Sequence, residues 1–336
     1  MTSVEPSITH RQLSVGSLSM HVAEAGEGPL VILLHGFPES WYSWRHQLTA
    51  LAAAGYHAVA PDQRGYCQTS APADPGQYTM LHLTGDVIGL MDALGAERAV
   101  VAGHDWGAPV AWNTALLRPD RVSGVIGLSV PYTPRGSTPP VPALRALFGD
   151  GFYICYFQQP GVADAELSRD LQATFRRTLS SASGEAVRSR GAGSREPAAM
   201  AGRVPVIPQG GGFLDICPEP AELPGWLSAR DVDVFAAQFA ESGFTGPLNW
   251  YRAMDLSWEL MAAWKHAPVT VPAAYLAGDS DVAVSFLGGA GVLDQLEGVA
   301  PGLRLARILP GCGHWTQQER AGEVSEAMLS FLAGLD

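Results

Sequence analysis

The residues of this chain most able to do chemistry stand where apolar runs stop. Residues 100–102 are Val-Val-Ala and run into Gly103-His104-Asp105-Trp106-Gly107, after which a helical pattern continues to residue 117. A strand, a tight turn flanked by glycines and a helix together lift one side chain into a cleft, the geometry of a nucleophile elbow. The side chain lifted here is the carboxylate of Asp105. Taken alone, Gly-x-Asp-x-Gly reads equally as a turn aspartate facing solvent, so the rest of the chain has to decide. A second apolar run, residues 272–278, is followed by Asp279 and Asp281. A third, residues 303–309, is followed by Pro310-Gly311-Cys312-Gly313-His314-Trp315. Nucleophile, acid and base then occur in the order Asp105, Asp281, His314. In that arrangement Asp281 accepts from His314 Nδ1, fixing the tautomer and stabilising the imidazolium. Asp279 competes for this place, and the carboxylate that loses it stabilises a turn.

The carboxylate decides the reaction class. Attack on an ester would form an anhydride, a poor intermediate, whereas attack on an sp³ carbon displaces a leaving group and forms an ordinary alkyl ester. Water activated by His314 then attacks the carbonyl carbon of Asp105 and regenerates the acid. The expected substrates are alkyl electrophiles: epoxides, alkyl halides or halo-acids. The oxyanion that develops needs donors, and His35-Gly36-Phe37-Pro38, directly after the apolar run 30–34, stands where an oxyanion loop belongs. The amides of Phe37 and Trp106 are the candidate donors. His35 is expected to organise that loop by hydrogen bonding and to border the substrate.

Such residues need a sheet whose strand ends converge. Residues 12–15 and 20–25 suggest an opening hairpin after a loose tail that ends near Ile8. Residues 30–34 suit a strand buried on both faces, and 57–60, 125–130, 272–278 and 303–309 supply further strands. Helical spacing covers 41–53, 81–94 and 321–335. Strands alternating with helices predict an α/β fold with a mostly parallel, doubly wound sheet. The rhythm stops from residue 134 to 267, where helical patterns at 163–179 and 232–242 flank a Gly/Ser/Arg-rich stretch, 180–212, expected to be a long mobile loop. Residues 1–133 and 268–336 are therefore expected to form the core domain and 134–267 an inserted helical cap.

With 336 residues, 47% apolar and 16% charged, the chain is long enough for one such domain and folded by composition. Its net charge of −12 argues against nucleic acid or an anionic membrane as partner. Lys265 is the only lysine, in an Ala- and Gly-rich background that reads as genome composition. Cys67, Cys155, Cys217 and Cys312 lack metal-ligand spacing, so neither metal nor disulfide is expected and a reducing compartment is. No apolar run approaches the ~18 residues of a membrane span and no signal peptide is seen, which makes a cytoplasmic location the expectation.

Several further motifs carry a resemblance: His-Gly-Phe-Pro-Glu at 35–39, Trp44-Arg45-His46-Gln47, Ala60 to Tyr66, Gly103 to Gly107, Tyr156-Phe157-Gln158-Gln159-Pro160-Gly161, Gly246 to Arg252 and Gly313-His314-Trp315. From about residue 10 to the C-terminus the chain resembles the soluble epoxide hydrolases of the α/β-hydrolase fold. The resemblance implies conversion of a small hydrophobic epoxide and water to a vicinal diol without a metal or organic cofactor, and a homodimer. It also implies two cap tyrosines that hold the epoxide oxygen and protonate it as the ring opens. Tyr251 matches the second through Leu-Asn-Trp-Tyr-Arg, and Tyr153 the first, with Tyr156 as the nearby alternative. Trp106, Tyr153 and Tyr251 would thus contact substrate. Haloalkane dehalogenases are the nearest rival class, but they resemble the chain less: Phe37 replaces an oxyanion-loop Asn, and halide departure needs no acid. Cys67 departs from the family, which usually has Gly there.

Overall fold

The alternation of apolar residues along each strand decides how the sheet is covered. In a computed structural model, which describes residues 7–191, 204–287 and 289–335, β1 (Thr9–Val15) and β2 (Leu18–Ala25) form the expected hairpin. They are followed by β3 (Leu30–Leu34), α1 (Arg45–Ala53), β4 (His57–Pro61), α2 (Met80–Ala93), β5 (Ala99–His104), α3 (Gly107–Leu117) and β6 (Val122–Leu128). The strand order is β1-β2-β4-β3-β5-β6-β7-β8 once β7 (Ala273–Gly278) and β8 (Leu303–Leu309) are added. β2 runs antiparallel to β1 and β4, and all other pairs are parallel. Val31 and Leu33 pack on one face with Leu48 and Met328, whereas Ile32 and Leu34 pack on the other with Val87 and Trp112. A strand buried on both sides in this way has no polar face, which is why its sequence is a continuous apolar run.

The chain closes with α12 to α15. These are α12 (Val282–Phe286), α13 (Val292–Val299), α14 (Thr316–Glu319) and α15 (Ala321–Leu332), once the insertion between β6 and β7 has been counted. That insertion holds α4 (Pro140–Phe148), α5 (Tyr153–Tyr156), α6 (Val162–Ser168), α7 (Leu171–Ser181), α8 (Gly184–Gly191), α9 (Ala229–Ser242), α10 (Thr245–Arg252) and α11 (Met254–Leu260). Two expectations are corrected here. The single helix expected at 163–179 is two, because Asp170 turns the chain and caps α7 by accepting from Ala173 N–H. The loop expected over 180–212 is helical at α8, which docks beside the loop carrying His314; residues 192–203 of that stretch, like 1–6 of the expected tail, lie outside the described residues. Among the described residues no helix is long and apolar enough to cross a membrane. Cys67, Cys155, Cys217 and Cys312 are buried, and no disulfide joins them among the described residues.

The sheet order sets the site. The chain leaves β3 toward β4 on one side and returns to β5 on the other, so the crevice between the carboxyl ends of β3 and β5 is a topological switch point. The residues that enter it are those after β3, 35–38, and after β5, led by Asp105.

Candidate active site

Asp105 follows β5 with φ +49°, a left-handed conformation that costs a non-glycine residue roughly 1–3 kcal/mol. Its neighbours show what makes that turn buildable. A Cβ on Gly103 would lie 2.0 Å from the Gly107 carbonyl oxygen, and one on Gly107 would lie 2.1 Å from that of Leu34. Only glycine lets α3 start so close to the sheet. The lifted carboxylate is divided between two partners. Oδ1 accepts from Phe37 N–H at 2.7 Å, and Oδ2 lies 3.5 Å from His314 Nε2. Trp106, the second expected donor, stands before α3, and its amide makes no hydrogen bond to Asp105 among the described residues.

His314 follows β8, and its Nδ1 donates to Asp281 Oδ1 at 3.0 Å. Asp281 is buried, follows β7, and accepts also from Ala283 N–H at the start of α12. Burial alone would lower the His314 pKa, but the Asp281 and Asp105 carboxylates outweigh it and raise it well above the ordinary imidazole value. Burial would raise the Asp281 pKa, yet the facing imidazole holds it below the usual carboxylate range.

Two tyrosines of the insertion meet over this pair, their ring centroids 6.1 Å apart. Tyr153 opens α5 and Tyr251 lies in α10, whose Trp250 Nε1–H donates to Arg64 C=O of the core at 3.0 Å. Gln158 ties the two helices together, donating to the carbonyls of Ile154 and Tyr251. Burial pushes both phenols above their ordinary pKa, and the nearby Asp105 charge adds to the shift. Such phenols stay protonated and can give a proton to a stronger base. A nucleophilic carboxylate, a base behind it and two acids in front can open a strained ether and hydrolyse the ester that results.

Comparison with known proteins bears on the fold and the activity. Residues 29–321 match the model of the alpha/beta hydrolase fold family. Epoxide hydrolase A of Mycobacterium tuberculosis is 46% identical over 98% of this chain and 98% of its own, and epoxide hydrolase 1 of Siraitia grosvenorii is 42% identical over 97% and 98%. The crystal structure of epoxide hydrolase A from Mycobacterium thermoresistibile superposes with a TM-score of 0.87 at 46% identity, covering 98% of this chain and 99% of that one. The chain belongs to the epoxide hydrolases of the α/β-hydrolase fold.

Within this epoxide hydrolase, the ambiguous residues separate by what they touch. Tyr156 donates its hydroxyl to Glu166 at 2.7 Å, and the same carboxylate accepts from Phe213 and Leu214 N–H, so Tyr156 is bound up in the framework. Asp279 accepts from Gly311 N–H and Ser280 Oγ–H at an exposed turn, the role left to the losing carboxylate. His35 is fully buried, donates from Nδ1 to Gly36 C=O and accepts from Gln63 N–H at Nε2. With both nitrogens spent on the chain around it, His35 ties the loop after β3 to Gln63. Cys67 takes φ +46°, so it keeps the left-handed turn for which glycine is the usual residue.

Three residues given no role by the sequence stand behind the site. Glu39 and His104 are fully buried. Glu39 Oε2 accepts from His104 Nδ1–H at 2.7 Å and Gly36 N–H at 3.0 Å, and Oε1 accepts from the Gln317 and Gln318 amides. His104 Nε2–H donates to His314 C=O at 2.7 Å, so one network joins the oxyanion loop, the elbow and the base. Although burial works against it, His104 and the Gly36 amide lower the Glu39 pKa to about 2. Glu319 of α14 accepts from Gly313 and Trp315 N–H in the base loop and from Gly184 N–H at the start of α8. Their only sequence signal is a charged or polar residue beside a motif, 65 positions apart in the case of Glu39 and His104.

Proposed function

We propose that Asp105 opens an epoxide by attack of Oδ2 on a ring carbon, while Tyr153 and Tyr251 hold the epoxide oxygen and one of them protonates it as the C–O bond breaks. An alkoxide is a poor leaving group, and a positioned acid removes that cost. The alkyl ester then carries no charge on Asp105. One of the two carboxylates that raised the His314 pKa is thereby neutralised, and the ring falls toward its ordinary value as a base is needed. His314 Nε2 takes a proton from water, hydroxide attacks the Asp105 carbonyl carbon, and the oxyanion forms at Oδ1 against the Phe37 N–H and, as the carbon becomes tetrahedral, the Trp106 N–H. Collapse breaks the bond from that carbon to Oδ2. The diol departs with Oδ2, taking the proton from His314; water's oxygen remains in Asp105, and the second water proton leaves that carboxyl and returns to the tyrosinate.

The observation that carries this reading is the divided carboxylate of Asp105, Oδ1 on an amide and Oδ2 toward His314, beneath two buried phenols. Residues 134–267 supply those phenols and 1–133 with 268–336 supply everything else. We therefore assign the first segment as a cap domain and the others as the core. Offering a terminal epoxide and a chloroalkane of the same skeleton tests the substrate class. Diol from the first and no halide from the second is the expected result; halide release at a comparable rate would identify a haloalkane dehalogenase.

A further inference from the structure

Directly beyond β6 the chain makes a turn that an ordinary residue resists. Ser129 is fully buried and adopts φ +67°. Its backbone is fixed on both sides, since Ser129 N–H donates to Leu276 C=O at 2.9 Å and Ser129 C=O accepts from Tyr275 Oη–H at 2.7 Å. The strained conformation aims its hydroxyl at the triad: Oγ lies 3.1 Å from His314 Nδ1, and the hydroxyl helps to lower the Asp281 pKa, as a donor to that carboxylate does. The carboxylate has no proton to give, so Ser129 donates to Asp281, which leaves an Oγ lone pair facing Nδ1–H. The His314 Nδ1 proton thus lies between two acceptors, Asp281 Oδ1 at 3.0 Å and Ser129 Oγ at 3.1 Å.

We propose that Ser129 is a positioning residue for ester hydrolysis. By donating to Asp281 and receiving from His314, it holds the proton on Nδ1, so that Nε2, facing Asp105, is the nitrogen that exchanges protons with water. The donated bond also weakens Asp281 as a base, which keeps the carboxylate from drawing that proton off the ring when His314 becomes imidazolium. The inference rests on the assignment of His314 and Asp105 above. The other groups facing His314 are Asp105 and Asp281, His104 against its carbonyl and ring, and Glu319 beneath its loop. Ser129 is the uncharged member of this set, and its removal leaves every charge in place.

The test compares Ser129→Ala with Ser129→Gly in single turnovers, following alkylation and ester hydrolysis separately across pH and weighing the enzyme by intact mass. Both variants lose the hydroxyl, but alanine keeps the strain that serine bears at φ +67° and glycine relieves it, so backbone strain and hydroxyl are separated. Both are expected to alkylate at close to the wild-type rate and to hydrolyse the ester about tenfold more slowly at neutral pH. The pH at which hydrolysis becomes half-maximal should move upward, because Asp281 without its donor holds the imidazolium more tightly. Ser129→Gly alone decides if Ser129→Ala does not fold. Wild-type hydrolysis with an unmoved pH profile in Ser129→Gly overturns the proposal, as does an equal loss in both steps. If the wild-type enzyme itself forms no ester on Asp105, the underlying assignment fails, and the role of Ser129 with it.

Discussion

A single residue's partners decide its role here more than its type does. Tyr153 and Tyr156 are one helical turn apart, so sequence spacing places both on one face of α5 and leaves either as the acid. The choice falls to Glu166, which occupies the Tyr156 hydroxyl, while Tyr153 meets Tyr251 and feels the Asp105 charge. Tyr153→Phe should therefore slow alkylation about 10- to 100-fold, with Tyr251 covering part of the loss. Tyr156→Phe should leave alkylation nearly unchanged and lower stability by about 1.5–3 kcal/mol, the worth of a hydrogen bond to a charged group. Stopped-flow alkylation rates and melting curves of the two variants would separate these roles, and the reverse pattern would reassign the acid. Asp105 and His314 were legible in advance because glycines and strand ends frame them. Ser129 was not, since nothing in Leu-Ser-Val-Pro announces a left-handed turn.

At the scale of elements, loops that are distant in sequence are held together by buried charge. Glu39 and Glu319 between them fasten the oxyanion loop, the elbow, the base loop and α8. Helical patterns and apolar runs reveal where elements are, but a carboxylate that accepts backbone amides from other loops has no periodicity to betray it. The pKa of Glu39 falls from 4.5 to about 2 on folding, so the folded state gains stability that is complete above pH 4.5 and lost as pH falls toward 2. A depression of that size is worth on the order of 3 kcal/mol. Melting temperatures measured from pH 6 to pH 2 should fall for the wild type through that window. In Glu39→Gln they should start lower and lose less across it; parallel curves for the two proteins would contradict the account. The correction at α8 has the same origin: a Gly/Ser/Arg-rich stretch looks like a loop, yet Gly184 N–H finds Glu319 and Ala182 C=O finds His314 N–H, and the helix forms on that anchor.

Across the whole molecule, the strand-helix rhythm was enough to place every strand of the sheet, whereas the switch point follows from the order in which the strands pair. Strand ends moved by only a few residues, as where β6 stops at Leu128 and Ser129 turns. The helical insertion was legible mainly as an interruption of that rhythm, because packing between its aromatic rings and the core, such as Phe37 against Phe157 and Tyr251, is long-range. The proposed division of labour follows: the carboxyl ends of β5, β7 and β8 supply a carboxylate, an acid and a base, and the insertion supplies phenols that keep their protons. The central claim is that Asp105 becomes an ester and surrenders one of its own oxygens. A single turnover with enzyme in excess over epoxide in ¹⁸O-labelled water tests this most directly. Unlabelled diol and one ¹⁸O in the carboxylate of Asp105 are expected; label in the first diol, with none in the protein, would mean direct attack by water.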